Sequence, residues 1–521
     1  MIPVIIPGRG RSYPLTMNFY LPLFLAILAI FWPGHNVRAE TFSWPEATPE
    51  QVNIDPRMIA DLTAAIERGE YGRLKSLLIL RHGLLVHEQY FNGYRQDELM
   101  PLYSVTKSWG SALVGIGIDR KEIPSIDTSV EAIFPQYADI FSASPQKRQI
   151  SLQDLLTMRH GLDWDEWSTY FTHPDNPVYR MTQSADWWRY VLSRPATAMP
   201  DSVFRYSTGV SNLMGGFIWS LTGQSALNYS IEHLFNPLDI TDYYLEVDLS
   251  GQPMGTGIRT FQTGLTPTGH GLWLKARDLA KIGQLYLDRG AWRSRRVLAH
   301  KWVQESWGSY SNVETDPQVF PEDVSYGYQW WNYRYKRPDD DVMVHTADGF
   351  ADQYIFVIPQ LDMVIVSTAD NGNYDGPDMR FAIRDIILDG VEDDFDPVSD
   401  GGLTGSWFNP EREHQGFMME VVPSTGQVVI YWMTFEPASG EQHWMVAVGE
   451  MHGRRVILQF LRPTGGSFEG DGEADLGSWG DVELIFHSCT RASMEFYSEI
   501  DGEEGLIELQ RLTPNTTCKV D

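Results

Sequence analysis

An α+β fold, an antiparallel sheet with flanking helices and a helical subdomain followed by an all-β C-terminal domain, is predicted by three features of the 521-residue sequence. The first is a pair of distant hairpins. Leu77–Arg81 and Leu84–Tyr90 are β-type runs split by His82-Gly83, and Tyr354–Ile358 and Met363–Thr368 are split by Pro359-Gln360-Leu361-Asp362. The near-continuous apolar content of the second hairpin indicates a buried sheet. The second feature is the helical spacing of apolar residues between the hairpins, over 104–118, 151–158, 209–222 and 277–288. It is clearest at Val210, Leu213, Met214, Phe217, Ile218 and Leu221. The third is a change of texture: residues 389–402 are dense in Asp and Glu with a Pro and three Gly, as in a solvated linker. Short β-rich runs such as 427–432 follow, broken by turn residues.

Composition bounds the function. Hydrophobic residues make up 43% of the chain and charged residues 21%, with 18 Trp, so collagen, coiled coil and wholesale disorder are excluded. A net charge of −29 argues against nucleic acid or an anionic lipid surface as the main partner. The two cysteines, Cys489 and Cys518, provide no zinc cluster; paired, they close a loop of about 30 residues and stabilise the tail by roughly 3–4 kcal/mol. No H-E-x-x-H, C-x-x-C, P-loop or dinucleotide fingerprint is present, so neither cofactor nor metal is expected.

At the N-terminus, Arg9 and Arg11 precede an apolar run from Phe19 to Trp32, and Val37-Arg38-Ala39 gives small residues at signal-peptidase spacing. The run is shorter than the ~20 residues a spanning helix needs, so cleavage near Ala39 and a periplasmic or secreted protein are expected, without a stable membrane span. A start at Met17 would leave almost no positive n-region. The expected division is a signal peptide at 1–39, a first domain at 40–388, an acidic linker at 389–402 and an all-β domain at 403–521.

Three residues stand out chemically. Ser104-Val105-Thr106-Lys107 is an S-x-x-K opening a helix, and three-residue spacing puts the hydroxyl and the amine on one helical face. The apolar face formed by Val105, Trp109, Ala112, Leu113 and Ile116 places Lys107 close to core, where desolvation lowers its proton affinity and lets it take the hydroxyl proton. Ser144-Pro145-Gln146-Lys147 matches the same pattern in a polar loop. Phe204-Arg205-Tyr206-Ser207 immediately precedes the strongest amphipathic helix, so the Tyr206 phenol is a candidate proton relay. Asp163, Asp165 and Glu166 read as a solvated turn, and Trp187 and Trp188 as core. Of the tail aromatics, Trp407, Phe408, Trp432 and Trp444 read as core rather than as a binding surface.

Together with Ile150-Ser151-Leu152-Gln153-Asp154-Leu155-Leu156-Thr157-Met158, Gly161-Leu162-Asp163-Trp164, the block at 276–283 and Tyr326-Gly327-Tyr328-Gln329-Trp330-Trp331, these residues make the chain from Leu77 to Thr368 resemble the β-lactamase and penicillin-binding type of serine hydrolase. The likeness is greatest to the class C-like branch with its esterases, D-aminopeptidases and 6-aminohexanoate-dimer hydrolases. The resemblance implies Ser104 as acylated nucleophile, Lys107 as its base or hydrogen-bond partner, and Tyr206 as proton relay. Thr208 stands where the lactamases have the Asn of Y-x-N, with Asn212 one helical turn on. The strand motif K/H-T-G is matched by His345-Thr346-Ala347, within two residues, as the substrate-binding and oxyanion segment. The expected activity is hydrolysis of a small-molecule ester or amide through a Ser104 acyl-enzyme. The alternatives are a non-turnover acyl-accepting or ligand-sensing protein, a β-lactamase, or a D-aminopeptidase.

Overall fold

The computed structural model describes residues 42–245 and 265–513, apart from 294, 314–322, 337–340, 373, 392–401, 410–413, 436–439, 453–454, 466–473, 487–490, 501 and 503. The expected signal segment and both cysteines lie outside the described residues, as does most of the linker.

The first hairpin forms as expected: β1 (Leu74–Arg81) and β2 (Leu84–Tyr90) are joined by His82 and Gly83, both with left-handed backbone at φ 56° and 72°, the turn whose twist matches paired strands. Three short strands, β3 (Met100–Pro101), β4 (Tyr243–Leu245) and β5 (Leu272–Leu274), make a small sheet beside the Val105–Asp119 helix, and β6 (Ala291–Trp292) pairs with β7 (Arg295–Arg296). The main sheet is completed by β8 (Ser311–Val313), β9 (Asp323–Tyr326), β10 (Trp331–Tyr335), β11 (Val342–Gly349), β12 (Gln353–Ile358) and β13 (Met363–Ala369). Its order is β2-β1-β13-β12-β11-β10-β9-β8, so the two hairpins foreseen in the sequence lie side by side through β1 and β13. Every residue of β1, β12 and β13 is buried, consistent with their lack of alternation.

Helices supply the covering layers. Ala276–Leu287 packs on β12, β13 and β1, while Val105–Asp119 packs against β11 and β12 on one side and against the Thr208–Thr222 helix on another. Val105–Asp119 is buried from Val105 through Gly117 because apolar residues surround it on all sides, and exposure returns only at its C-terminal end and at Tyr103 and Ser104 just before it. Trp187 and Trp188 are core residues at 1% and 3% exposure.

The tail is a closed antiparallel barrel of eight strands: β14 (Gly405–Phe408), β15 (Gly416–Val422), β16 (Gln427–Phe435), β17 (Gln442–His452), β18 (Arg455–Gly465), β19 (Ala474–Phe486), β20 (Arg491–Ser498) and β21 (Glu504–Arg511). Alternate residues point inward, so Val428, Ile430 and Trp432 of β16 fill the interior with Trp407, Phe460 and Phe486. Closure removes exposed strand edges. The core reading of the tail aromatics holds for Trp407 and Trp432 and fails for Trp444, which faces outward and is half exposed.

Candidate active site

Ser104 sits at the turn between β3 and the Val105–Asp119 helix. The turn is tight: Val105 N–H bonds Leu102 O at 3.0 Å, and Tyr103, just before the serine, holds a left-handed φ of 45° that a non-glycine residue keeps only when its surroundings impose it. On the first helical turn, Lys107 is 1% exposed and its Nζ makes three contacts: Ser104 Oγ at 2.8 Å, Thr208 Oγ1 at 3.0 Å and Gly269 O at 2.8 Å. Burial drives the lysine down to about 8, partly countered by Glu166 and Asp348. The second S-x-x-K does not resemble this one, since Lys147 Nζ turns away to bond Leu192 O at 2.7 Å.

Tyr206 comes from the segment leading into the Thr208–Thr222 helix, which Ser207 caps by accepting from Val210 N–H. Its ring is stacked between Trp167 and Trp331, with centroids at 5.1 and 5.7 Å, and the Lys107 Nζ lies 4.9 Å from the ring centre. Burial pushes the phenol well above its ordinary value, so it stays protonated where the lysine loses its proton. The two groups therefore divide the chemistry: Lys107 is equipped to accept a proton and Tyr206 to pass one on.

A cavity of about 420 Å³ opens over Ser104. Its walls are largely aromatic, with Trp167, Tyr170, Phe171, Trp331 and Phe350, and its polar groups include Asp348 and Arg380. This pairing of an apolar cavity with a few converging polar groups suits a small organic substrate. Asp348 accepts from Tyr333 O–H at 2.9 Å, has Arg380 Nη1 at 3.8 Å, and is raised by burial to about 7.

The strand motif is displaced by two residues from the sequence reading. Period-2 alternation along β11 puts His345 on the face opposite Asp348. His345 bonds Asn332 Oδ1 through Nδ1 at 2.7 Å and stacks flat on Trp307 at 4.1 Å; burial drops it to about 3, so it is uncharged near neutrality, and it does not line the cavity. Thr346 and Ala347 are buried strand residues that do not line the cavity. The close approach to the Ser104 turn belongs to Gly349: a Cβ there would stand 2.4 Å from Leu102 O and 3.2 Å from Val105 Cγ2, so only glycine fits. Ala347-Asp348-Gly349 thus occupies the place assigned to His345-Thr346-Ala347.

Asn212 does not line the cavity either. It is fully buried, and its Oδ1 accepts from Thr268 N–H at 3.0 Å and Gly269 N–H at 2.8 Å, which fixes the carbonyl that Lys107 uses. The acidic turn needs correction at one residue. Asp165 is an exposed turn cap and Asp163 pairs with Arg194, but Glu166 is 3% exposed. It accepts from Trp164 Nε1 at 2.6 Å, Thr208 N–H at 2.7 Å and Thr208 Oγ1 at 2.8 Å. The clue in the sequence is an acid between two tryptophans, Trp164 and Trp167, rather than among polar residues.

The Beta-lactamase family profile matches residues 72–388. The chain belongs to the Beta-lactamase family. This assignment makes it a serine hydrolase. The 6-aminohexanoate-dimer hydrolase of Paenarthrobacter ureafaciens is 26% identical over 320 residues, 58% of this chain and 74% of the relative. Two solved structures share the Beta-lactamase fold. A protein from Bacillus anthracis assigned as a 6-aminohexanoate-dimer hydrolase has a TM-score of 0.51 and 19% identity over 67% of this chain and 87% of its own. A protein from Bacteroides dorei assigned as a beta-lactamase has a TM-score of 0.50 and 18% identity over 64% and 97%.

A second group of ligand-type side chains lies where the barrel meets the first domain. His300, Glu483 and Glu495 bring one donor atom each within 4.8 Å of one another. Arg289 reaches Glu483 at 3.1 Å, and Arg296 and His300 reach Glu495 at 3.8 and 2.8 Å, so these carboxylates are engaged in ion pairs that tie barrel to hydrolase domain. Among the described residues no helix is long and apolar enough to cross a membrane.

Proposed function

We propose that this Beta-lactamase family member is an exported hydrolase of small esters or amides working through a Ser104 acyl-enzyme. The observation that carries the reading is the buried Lys107 amine, 2.8 Å from Ser104 Oγ and lowered to about 8. In its neutral form the amine takes the serine proton as Ser104 attacks the carbonyl carbon. Tyr206 passes a proton to the leaving alkoxide or amine, the acyl group remains on Ser104, and water, activated by the same pair in reverse, releases the acid and restores the serine. Backbone N–H groups at Ser104 and at the β11 end near Gly349 are the candidates to hold the oxyanion, since Gly349 is where that strand closes on the nucleophile turn. Thr208 in place of an amide side chain disfavours strong β-lactam turnover.

The test is a panel of p-nitrophenyl esters, short D- and L-amides and nitrocefin, to which the name of the P. ureafaciens relative adds 6-aminohexanoate dimers. Ser104→Ala is the blank. It should abolish ester hydrolysis and labelling by a fluorophosphonate; retained labelling removes this mechanism. Repeated turnover also excludes a protein that accepts one acyl group and stops. Fractionation of the expressing cell tests export: activity confined to the cytoplasm contradicts it.

A further inference from the structure

The carboxylate of Glu166 is linked to the catalytic base by a single hydroxyl. Three donors point at Glu166: Trp164 Nε1 and Thr208 N–H to Oε2, and Thr208 Oγ1 to Oε1. The hydroxyl hydrogen of Thr208 is therefore committed to Glu166, because a carboxylate only accepts. Thr208 Oγ1 is left with lone pairs alone for Lys107 Nζ at 3.0 Å. On another side of the amine, Gly269 O at 2.8 Å can only accept, and Asn212 Oδ1 holds the same glycine by accepting from its N–H. A neutral amine has two hydrogens and one lone pair. Thr208 and Gly269 take both hydrogens, and the direction that remains for the lone pair is Ser104 Oγ at 2.8 Å.

We propose that Glu166, acting through Thr208, is a positioning residue that aims the Lys107 lone pair at the Ser104 hydroxyl and sets the lysine's proton affinity. The inference rests on the reading of Ser104 as nucleophile and Lys107 as its base. The other groups facing the amine are the Tyr206 ring at 4.9 Å and the Asp348 carboxyl; Asp348 and Glu166 both favour its charged form. Glu166 differs from Asp348 in having a hydrogen-bonded path to the amine.

Glu166→Gln separates positioning from mere support. With its amide oxygen kept toward the two N–H donors, glutamine presents an N–H to Thr208 Oγ1. The threonine hydrogen then swings toward Lys107 and occupies the lone pair. At the same time, loss of a carboxylate that favours the charged amine lowers the proton affinity of Lys107. With p-nitrophenyl butyrate, the variant should lose kcat on the order of 10²-fold with KM little changed, and the acid limb of its pH–rate profile should move to lower pH. A purely structural role lowers the amplitude and leaves the midpoint where it is, and that outcome overturns the proposal. Thr208→Val and Thr208→Ser provide an independent pair that leaves Glu166 intact. The valine enzyme should lose kcat and the serine enzyme should recover most of it; a fully active valine enzyme also overturns the proposal. Ser104→Ala run alongside distinguishes the two levels. Turnover without Ser104 removes the hydrolase reading itself, whereas Ser104-dependent turnover with an unmoved Glu166→Gln profile removes only the role of Glu166.

Discussion

The protonation state of Lys107 gives the sharpest quantitative expectation. Its amine is 1% exposed and lowered to about 8, against an ordinary lysine value of 10.5. At pH 7 roughly one molecule in ten then carries a neutral amine, and at pH 6 about one in a hundred; an unperturbed lysine would be neutral in about one molecule in three thousand at pH 7. If the neutral amine is the base, kcat/KM for p-nitrophenyl butyrate should climb about 50-fold between pH 6 and pH 8 and level off above pH 9. Asp348, raised to about 7, is the other group in the cavity that titrates in this range. Asp348→Asn should keep a single rise and move it to lower pH, since a carboxylate that favours the charged amine is lost; a rise that vanishes in this variant would assign the limb to Asp348 instead. Lys107→Arg removes the accessible neutral form altogether and should reduce the rate by 10³-fold or more. The reasoning fails if Ser104-dependent activity changes by less than about threefold from pH 6 to pH 8, because no buried amine with this midpoint produces so flat a profile.

Other expectations follow from the same geometry. Tyr206→Phe keeps the ring stacked between Trp167 and Trp331 but removes the relay hydroxyl, so kcat should fall on the order of 10²-fold while the melting temperature stays near wild type. Gly349→Ala drives a Cβ to 2.4 Å from Leu102 O, and calorimetry should record a loss of about 1–3 kcal/mol with displaced, inactive Ser104. Asp348 is raised from 3.8 to about 7 on folding, so the folded protein holds a proton that the unfolded chain releases, and stability drops as pH rises through that window. Asp348→Asn should therefore stabilise by about 2–4 kcal/mol more at pH 8 than at pH 4 in urea unfolding, and an equal gain at both values would contradict the assignment.

Much of the framework was legible because its signals are local. The helix expected over 209–222 is Thr208–Thr222, that over 277–288 is Ala276–Leu287, and the two hairpins formed at the foreseen residues. Strands β8 to β10 were not foreseen: they are short and rich in Trp, Tyr and polar residues, and their order in the sheet comes from pairings no local pattern contains. The misplacement at His345 arose from matching letters, since His-Thr satisfies the motif by residue type while alternation along β11 turns that histidine to the other face. Glu166 was read as solvated from its acidic neighbours. Its burial follows from Trp164, which takes its carboxylate inward, and from Thr208, which lies 42 positions along the chain.

Lys107 draws its partners from widely separated parts of the polypeptide: Thr208 lies 101 residues away and Gly269 162. Before those segments meet, the amine is hydrated and positively charged, and the serine beside it is an ordinary alcohol. Reactivity is thus withheld from any nascent or unravelled molecule and conferred only by completed tertiary assembly. An extended chain is on this reading chemically inert, and its nucleophile comes into being only when folding is complete.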